Sequence, residues 1–393
     1  MHWLTILLTF MLAACQPAAP LQTLQLDTAP GSGEPHLARS VAGEIVLSYL
    51  ESSEASTALR FTVLKDDQWL ASRTVAEGDN WFVNWADFPS VVPLQNGIWA
   101  AHWLVKTEGG SYAYDTLVAQ SSDQGQTWSV PVRPHSDGTV TEHGFASVFA
   151  ASDKVGIVWL DGRAYASASG DDEGAVAMQL RTAVMDDNQQ RSSQGVVDET
   201  VCDCCQTDIA MAASGPVVVY RNRTRDDIRD IYFARYVDGQ WQSGQAIAED
   251  GWIISGCPVN GPAIAATDQS VAVAWFTASP EDRVQMVFSR NSAETFGPAI
   301  DIGTSNPLGR VDVAMLANGD AMVSWLESAP AGRLLARRVS PDGTLGPIID
   351  IAPMTVERNS GFPQMVADGK RLIFAWTEVS EQTSVVKSAY FLL

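Results

Sequence analysis

Apolar and polar residues alternate over short stretches of this chain, and each stretch ends on an aromatic ring followed by a polar loop. The pattern recurs in EIVLSYLE, GIWAAHWLV, KVGIVWLDG, PVVVYRNR, SVAVAWFTA, AMVSWLESA and RLIFAWTEV. The aromatics are Tyr49, Trp103, Trp159, Tyr220, Trp275, Trp325 and Trp376, spaced by 54, 56, 61, 55, 50 and 51 residues. A period of two with β-branched and aromatic enrichment predicts strands. A strand is expected before each motif (GFASVFAA, TDIAMAA, GPAIAATD, RVDVAMLA) and another after it (YDTLVAQ, AMQLRTAV, DIYFARYV, VQMVFSR, LLARRVS). A weaker fourth strand follows in PAIDIG and PIIDIA, and no stretch reads as a long amphipathic helix.

Four strands in each unit of about 50 residues predict an all-β fold, a β-propeller of four-stranded blades. Seven blades are expected, with six blades plus an accessory hairpin as the alternative. The last unit stops at VVKSAYFLL without a fourth strand, and LQTLQLD (residues 21–27) precedes the first. Pairing the two joins the chain ends and removes two free sheet edges. Residues 21–393 are thus expected to form a single propeller domain.

Composition narrows the partners. Against 25 Lys+Arg stand 46 Asp+Glu, a formal net charge of −21, so the far field repels nucleic acid and anionic lipid surfaces. Residues 1–14 carry an apolar run too short to span a bilayer and read as a signal peptide. LAAC (residues 12–15) resembles the bacterial lipobox. That resemblance implies lipidation at Cys15, a tether over 15–20, and membrane contact only through the anchor. Gln16 at the next position favours the outer membrane. In such a compartment disulfides persist.

SSDQGQTWS places Ser121, Asp123, Gly125, Thr127 and Trp128 in the S-x-D-x-G-x-T-W spacing. This resembles the Asp-box of bacterial sialidases and related propellers. SRNSAETFG (289–297) and SPDGTLG (340–346) are weaker copies. The aspartate accepts turn amides, the glycine permits positive φ, and the aromatic plugs the space between sheets. The resemblance implies the fold and a structural role for the box, on the face opposite the working one. The family's arginine triad and its tyrosine nucleophile find no matching motif, so no catalytic residue is assigned. If the protein is an enzyme, a sialidase-like glycoside hydrolase is implied.

Strands alternate in direction within a blade, so inter-blade loops share a face with the loops between strands two and three. That face is expected to collect 79–88, 135–144, 198–208 and 250–262 with 161–174 and 221–230. It carries Cys202, Cys204, Cys205 and Cys257, the four cysteines beyond Cys15. One reading is a disulfide from the cluster to Cys257, tying adjacent blades. Another is four thiolates around Cu(I) or Zn(II), with His143 available to complete the site. A reactive cysteine is the third. Asp161, Arg163, Arg221, Arg229 and Glu142 are the candidate ligand-binding residues, because guanidinium forks grip carboxylate or phosphate bidentately. Trp81, Trp85 and Trp252 offer faces for sugar stacking. The expected function is a lipid-anchored envelope propeller whose Cys/Arg-rich face binds a small ligand, an acidic glycan or a soft metal. The alternative is a divergent exo-α-sialidase acting on acidic sugars.

Overall fold

The computed structural model describes residues 21–94, 97–167, 176–381 and 383–393. The expected signal segment, Cys15 and the tether lie outside these residues, as does the second half, 168–174, of the 161–174 loop. Seven antiparallel sheets follow one another along the chain. Their first strands are Ser32–Arg39, Ser90–Pro93, His143–Ala151, Asp208–Ala212, Ala263–Thr267, Pro307–Met315 and Gln364–Ala367. All seven line one central channel of about 460 Å³, so the sheets are blades around an axis and the blade number is seven, not six. Gln22–Leu24 completes the seventh blade by pairing with Ser384–Leu392, in the register Gln22 to Tyr390 and Leu24 to Ser388.

The second strand of each blade carries the repeat aromatic and is covered on both faces by neighbouring blades. That is why Ile45–Ser52, Lys154–Asp161 and Ala321–Glu327 read as nearly continuous apolar runs. Where the ring has a polar tip, an acid often receives it. Trp159, Trp275 and Trp325 each donate Nε1–H to a carboxylate at 2.7 Å, on Asp161, Asp250 and Glu327, and the Tyr220 hydroxyl donates to Asp198 at 2.6 Å. Adjacent blades are stitched by buried aspartates. Asp87 accepts the Phe145 N–H and Asp208 the Ile264 N–H, both at 2.8 Å.

Blade two departs from the four-stranded expectation. Among the described residues it has three strands, Ser90–Pro93, Trp99–Lys106 and Tyr114–Ser121, with one bridge from Val118 to Val132 in place of a fourth. The Asp-box makes the turn after the third strand. Gly125 N–H donates to Ser121 Oγ at 2.8 Å and Thr127 N–H to Asp123 Oδ1 at 2.9 Å, and Trp128 meets Phe61 of blade one edge-on at 6.0 Å. The degraded copy folds alike, with Asn291 accepting Thr295 N–H at 3.1 Å and Phe296 edge-on to Phe233 at 4.9 Å. Gly125 sits at φ +72° with an added Cβ falling 2.6 Å from Phe61 Cζ. Gly125→Ala is therefore expected to cost about 1–3 kcal/mol in a denaturant melt, the range for a strained backbone position. An unchanged midpoint would remove the box from the list of stabilising features.

Candidate functional site

The cysteine loop is fastened on both sides before its sulfurs are placed. Cys202 N–H donates to the Arg221 carbonyl at 2.9 Å, pinning the loop to the second strand of blade four. Asp203, between the first two cysteines, accepts the Tyr165 hydroxyl at 2.9 Å and Arg223 Nη1 at 2.9 Å, which pins it to blade three. Gln206 bridges further, from the Ala86 carbonyl at 2.6 Å to the Gly261 N–H at 2.9 Å. With the polar neighbours turned outward to these anchors, the Cys202, Cys204 and Cys205 sulfurs converge, all within 4.8 Å of one another. Cys202 and Cys205 Sγ are 2.8 Å apart.

Cys257 comes from the next inter-blade loop, close enough to Cys204 for the two thiols to shift one another. That loop is held by Arg229 Nε on the Ile254 carbonyl at 3.0 Å. All four thiols are free; Cys202 and Cys205 are buried, Cys204 is half-buried and Cys257 is exposed. Burial alone would raise the Cys202 thiol, but hydrogen bonds from Cys204 and Cys205 and the Arg229 guanidinium outweigh it and hold it well below the ordinary thiol range. Arg229 Nη1 lies 3.3 Å from its sulfur. The hydrogen bond from Cys204 brings Cys257 down to about 7. Cys204 and Cys205 move up, Cys204 mainly through its bonds to the other thiols and Cys205 mainly through burial.

Arg221 and Arg229 are brought beside this loop, but they and Arg163 are engaged. Arg221 is 1% exposed and gives Nε and Nη2 to the Asn260 carbonyl, Nη2 also to Phe276 and Nη1 to Arg229. Its guanidinium lies over Trp252 at 4.8 Å. Arg229 divides its donors among Ile254, Cys202 and Asp227. Arg163 grips Asp161 bidentately, both bonds 2.7 Å. The three loop tryptophans pack inward: Trp81 stacks on Trp103 at 5.7 Å and Trp85 on Phe362 at 5.8 Å, while Trp252 is edge-on to Phe276 at 5.6 Å.

Glu142 and His143 lead to two groups that the sequence reading missed. The Tyr114 hydroxyl lies 2.8 Å from Glu142 Oε1 and 2.7 Å from Asp87 Oδ2. A phenol has one proton to give, so one carboxyl must carry a proton of its own. Burial raises both, Glu142 to about 8 and Asp87 to about 7.

His143 stands with His135, Asp115, Asp137 and Asp161 rather than with the thiols. The two imidazoles stack at 3.8 Å with 6° between planes. Asp115 Oδ1 is 3.3 Å from a nitrogen of each ring, and Asp137 faces the other edge at 3.0 Å and 3.3 Å. Arg133 and Arg163 flank the carboxylates. The ligand atoms of Asp115, His135 and His143, and those of Asp137, His143 and Asp161, each lie within 4.8 Å of one another, and Arg163 already holds Asp161 and Asp137 in ion pairs. The only sequence signal for it was the acid- and histidine-bearing loop HSDGTVTEHG; Asp115 and Tyr114 begin a strand and carried none.

No family model and no curated protein matches this sequence. Among solved structures, the BP39L lectin from Burkholderia pseudomallei is 11% identical, with 92% of this chain and 96% of that chain covered at a TM-score of 0.60. The polysaccharide lyase Uly1 is 9% identical, with 98% and 94% covered at 0.54. A variant of the NanB sialidase from Streptococcus pneumoniae is 9% identical, with 95% and 94% covered at 0.47. The chain has the seven-bladed β-propeller architecture, and at these identities the likeness is one of fold.

Proposed function

We propose that this is a lipid-anchored envelope propeller that binds a thiophilic metal ion, Cu(I) or Zn(II), through Cys202, Cys204 and Cys205, with Cys257 as fourth ligand. One observation carries the reading: three sulfurs from one fastened loop converge within 4.8 Å of one another. Thiolate sets of three or four select soft or borderline ions. The Arg229 guanidinium at 3.3 Å from Cys202 offsets part of the negative charge that such a set accumulates. The apolar N-terminal run and LAAC support the anchor and an outer-membrane address. The acidic-glycan reading draws less support, since Arg163, Arg221 and Arg229 already hold protein partners.

The test is elemental analysis with thiol titration on full-length protein purified anaerobically from the envelope. About one ion per chain, with the thiols released to titration by a chelator, is the expected result. No metal together with fewer than two free thiols sinks the reading in favour of disulfides.

A second reading, binding or hydrolysis of an acidic sugar, is favoured by the Tyr114–Glu142 hydrogen bond, because the sialidase resemblance implies a tyrosine assisted by a glutamate. A lectin and a polysaccharide lyase among the structural neighbours are compatible with it. Tyr114 is fully buried under the stacked Phe82 ring at 4.0 Å, which keeps its oxygen from an incoming sugar and places this reading second.

A further inference from the structure

The thiol loops and the N-terminal tether leave the propeller from opposite faces. Blade seven runs Gln364–Ala367, Arg371–Val379 and Ser384–Leu392, and Gln22–Leu24 closes it. Its first strand starts on the cysteine face, where the loops entering the blades lie, so its third strand runs away from that face. Ser384–Leu392 therefore ends on the Asp-box face, and the register of Gln22 with Tyr390 puts Leu21 beside that end. Two contacts agree. Leu393 N–H donates to the Lys370 carbonyl at 2.9 Å, in the turn after the first strand. Gly31 N–H, beyond the closing strand, donates to the Ser384 carbonyl at 2.9 Å on the cysteine face. Resting on the lipid-anchored reading, we propose that the Asp-box face of blades seven and one is a membrane-docking surface. It is seated on the bilayer that holds the anchor, and the thiol site points away from that bilayer.

The tether is too short for the opposite arrangement. Leu21 lies six residues beyond Cys15, a reach of at most about 20 Å when fully extended. The nine residues of Ser384–Leu392 make the blade about 30 Å tall at roughly 3.3 Å per residue. The chain cannot pass up the side of the blade, so the cysteine face cannot be laid on the same bilayer. The cysteine loops enter blades four and five, across the ring from blade seven, which adds to the separation. Around the exit of the tether the rim is apolar. Leu392 and Leu393 end the third strand of blade seven, and Leu70 follows the turn after the third strand of blade one. Val41 sits in the turn after the first strand of blade one. All four are exposed, Val41 to 78%. The two blades are joined here by Trp69 Nε1 on Ser388 Oγ at 2.7 Å and by Arg371 on Asp67, so the rim is one surface. Apolar side chains gain by leaving water for the interface of a bilayer. The net charge of −21 repels an anionic surface at range, so the anchor and this rim make the contact without electrostatic attraction.

The experiment uses the full chain in three photoreactive forms, Val41→benzoylphenylalanine and the same change at Leu392 and at Ile253. Ile253 lies in the loop that carries Cys257 and is 67% exposed, so it reports on the cysteine face. Each form is extracted from the cell envelope and reconstituted in vesicles of phosphatidylethanolamine and phosphatidylglycerol. After irradiation, mass spectrometry reads phospholipid adducts at the three positions and the acyl groups on the N-terminal peptide. We expect an acylated Cys15, phospholipid adducts at Val41 and Leu392, and their loss at Ile253. Adducts at Ile253 equal to those at the other two positions, or adducts at none of the three, overturn the docking surface alone while Cys15 carries its acyl groups. A Cys15 without acyl groups overturns the anchor reading and the docking surface with it. Neither result bears on the thiol site as a metal site.

Discussion

Cys202→Ser is expected to lower the affinity of the reduced chain for Cu(I) or Zn(II) by more than about 100-fold, and Cys257→Ser by roughly 10-fold. The two substitutions make the same chemical change at opposite ends of the site. Cys202 is 1% exposed, receives hydrogen bonds from Cys204 and Cys205, and faces the Arg229 guanidinium, all of which favour its thiolate. A serine hydroxyl there stays protonated, so the ion loses its anionic anchor and Arg229 its counter-charge. Cys257 is exposed and stands outside the three sulfurs that converge within 4.8 Å of one another; water can take its coordination place. Equilibrium competition against a chelator of known affinity separates the two. Equal losses would mean that all four sulfurs are equivalent, and a Cys202→Ser affinity close to wild type would place the ion elsewhere.

The same site shows how far sequence reasoning reaches. Period-two alternation and the recurring aromatics gave the strands around each motif, the blade number and the closing strand, because a two-residue repeat with a buried ring at a fixed place is written directly in the chain. From the alternation of strand direction it followed that the cysteine loops share a face with 221–230. Partner choice was not readable. Arg221 looks like a ligand fork in sequence, yet its donors end on the backbone carbonyls of Asn260, Arg229 and Phe276. Such carbonyls have no sequence signature. Likewise the convergence of the Cys202, Cys204 and Cys205 sulfurs depends on Asp203 turning away to Tyr165 of blade three and to Arg223, residues far from it in the chain. His143 was grouped with the thiols by loop membership, and the structure stacks it on His135 instead. Blade two is one strand short, and the segment that would have been its fourth strand carries His135 and Asp137 into that stack.

That stack sets the second large effect, since it fastens the crossover from blade two to blade three. His143→Gln is expected to destabilise the protein by about 3–5 kcal/mol near pH 6, the usual cost of removing one partner from a buried charge pair. Burial opposes the charge on His143, but Asp115, Asp161 and Asp137 overcome it and raise the ring above its ordinary 6.5. A group raised on folding stabilises fully below its unfolded value, and that contribution is lost as pH rises through the folded one. Asp115 and Asp137 move the other way. Burial would raise them, while His135, His143 and Arg133 around Asp115, and Thr139, His143 and Arg163 around Asp137, bring them below 3.8. Their contribution is present above 3.8 and is lost as pH falls through their folded values. The stack is therefore strongest from about pH 4 to 6.5 and weakens toward alkaline pH. Asp87 and Glu142, raised by burial to about 7 and about 8, also cost stability as pH rises, and they do so in wild type and variant alike. Denaturant melts of both proteins from about pH 4.5 to 9 isolate the histidine as the difference between the two curves. That difference is expected to be largest at the acidic end and to narrow as His143 loses its proton. A difference independent of pH would mean that the ring acts by packing alone.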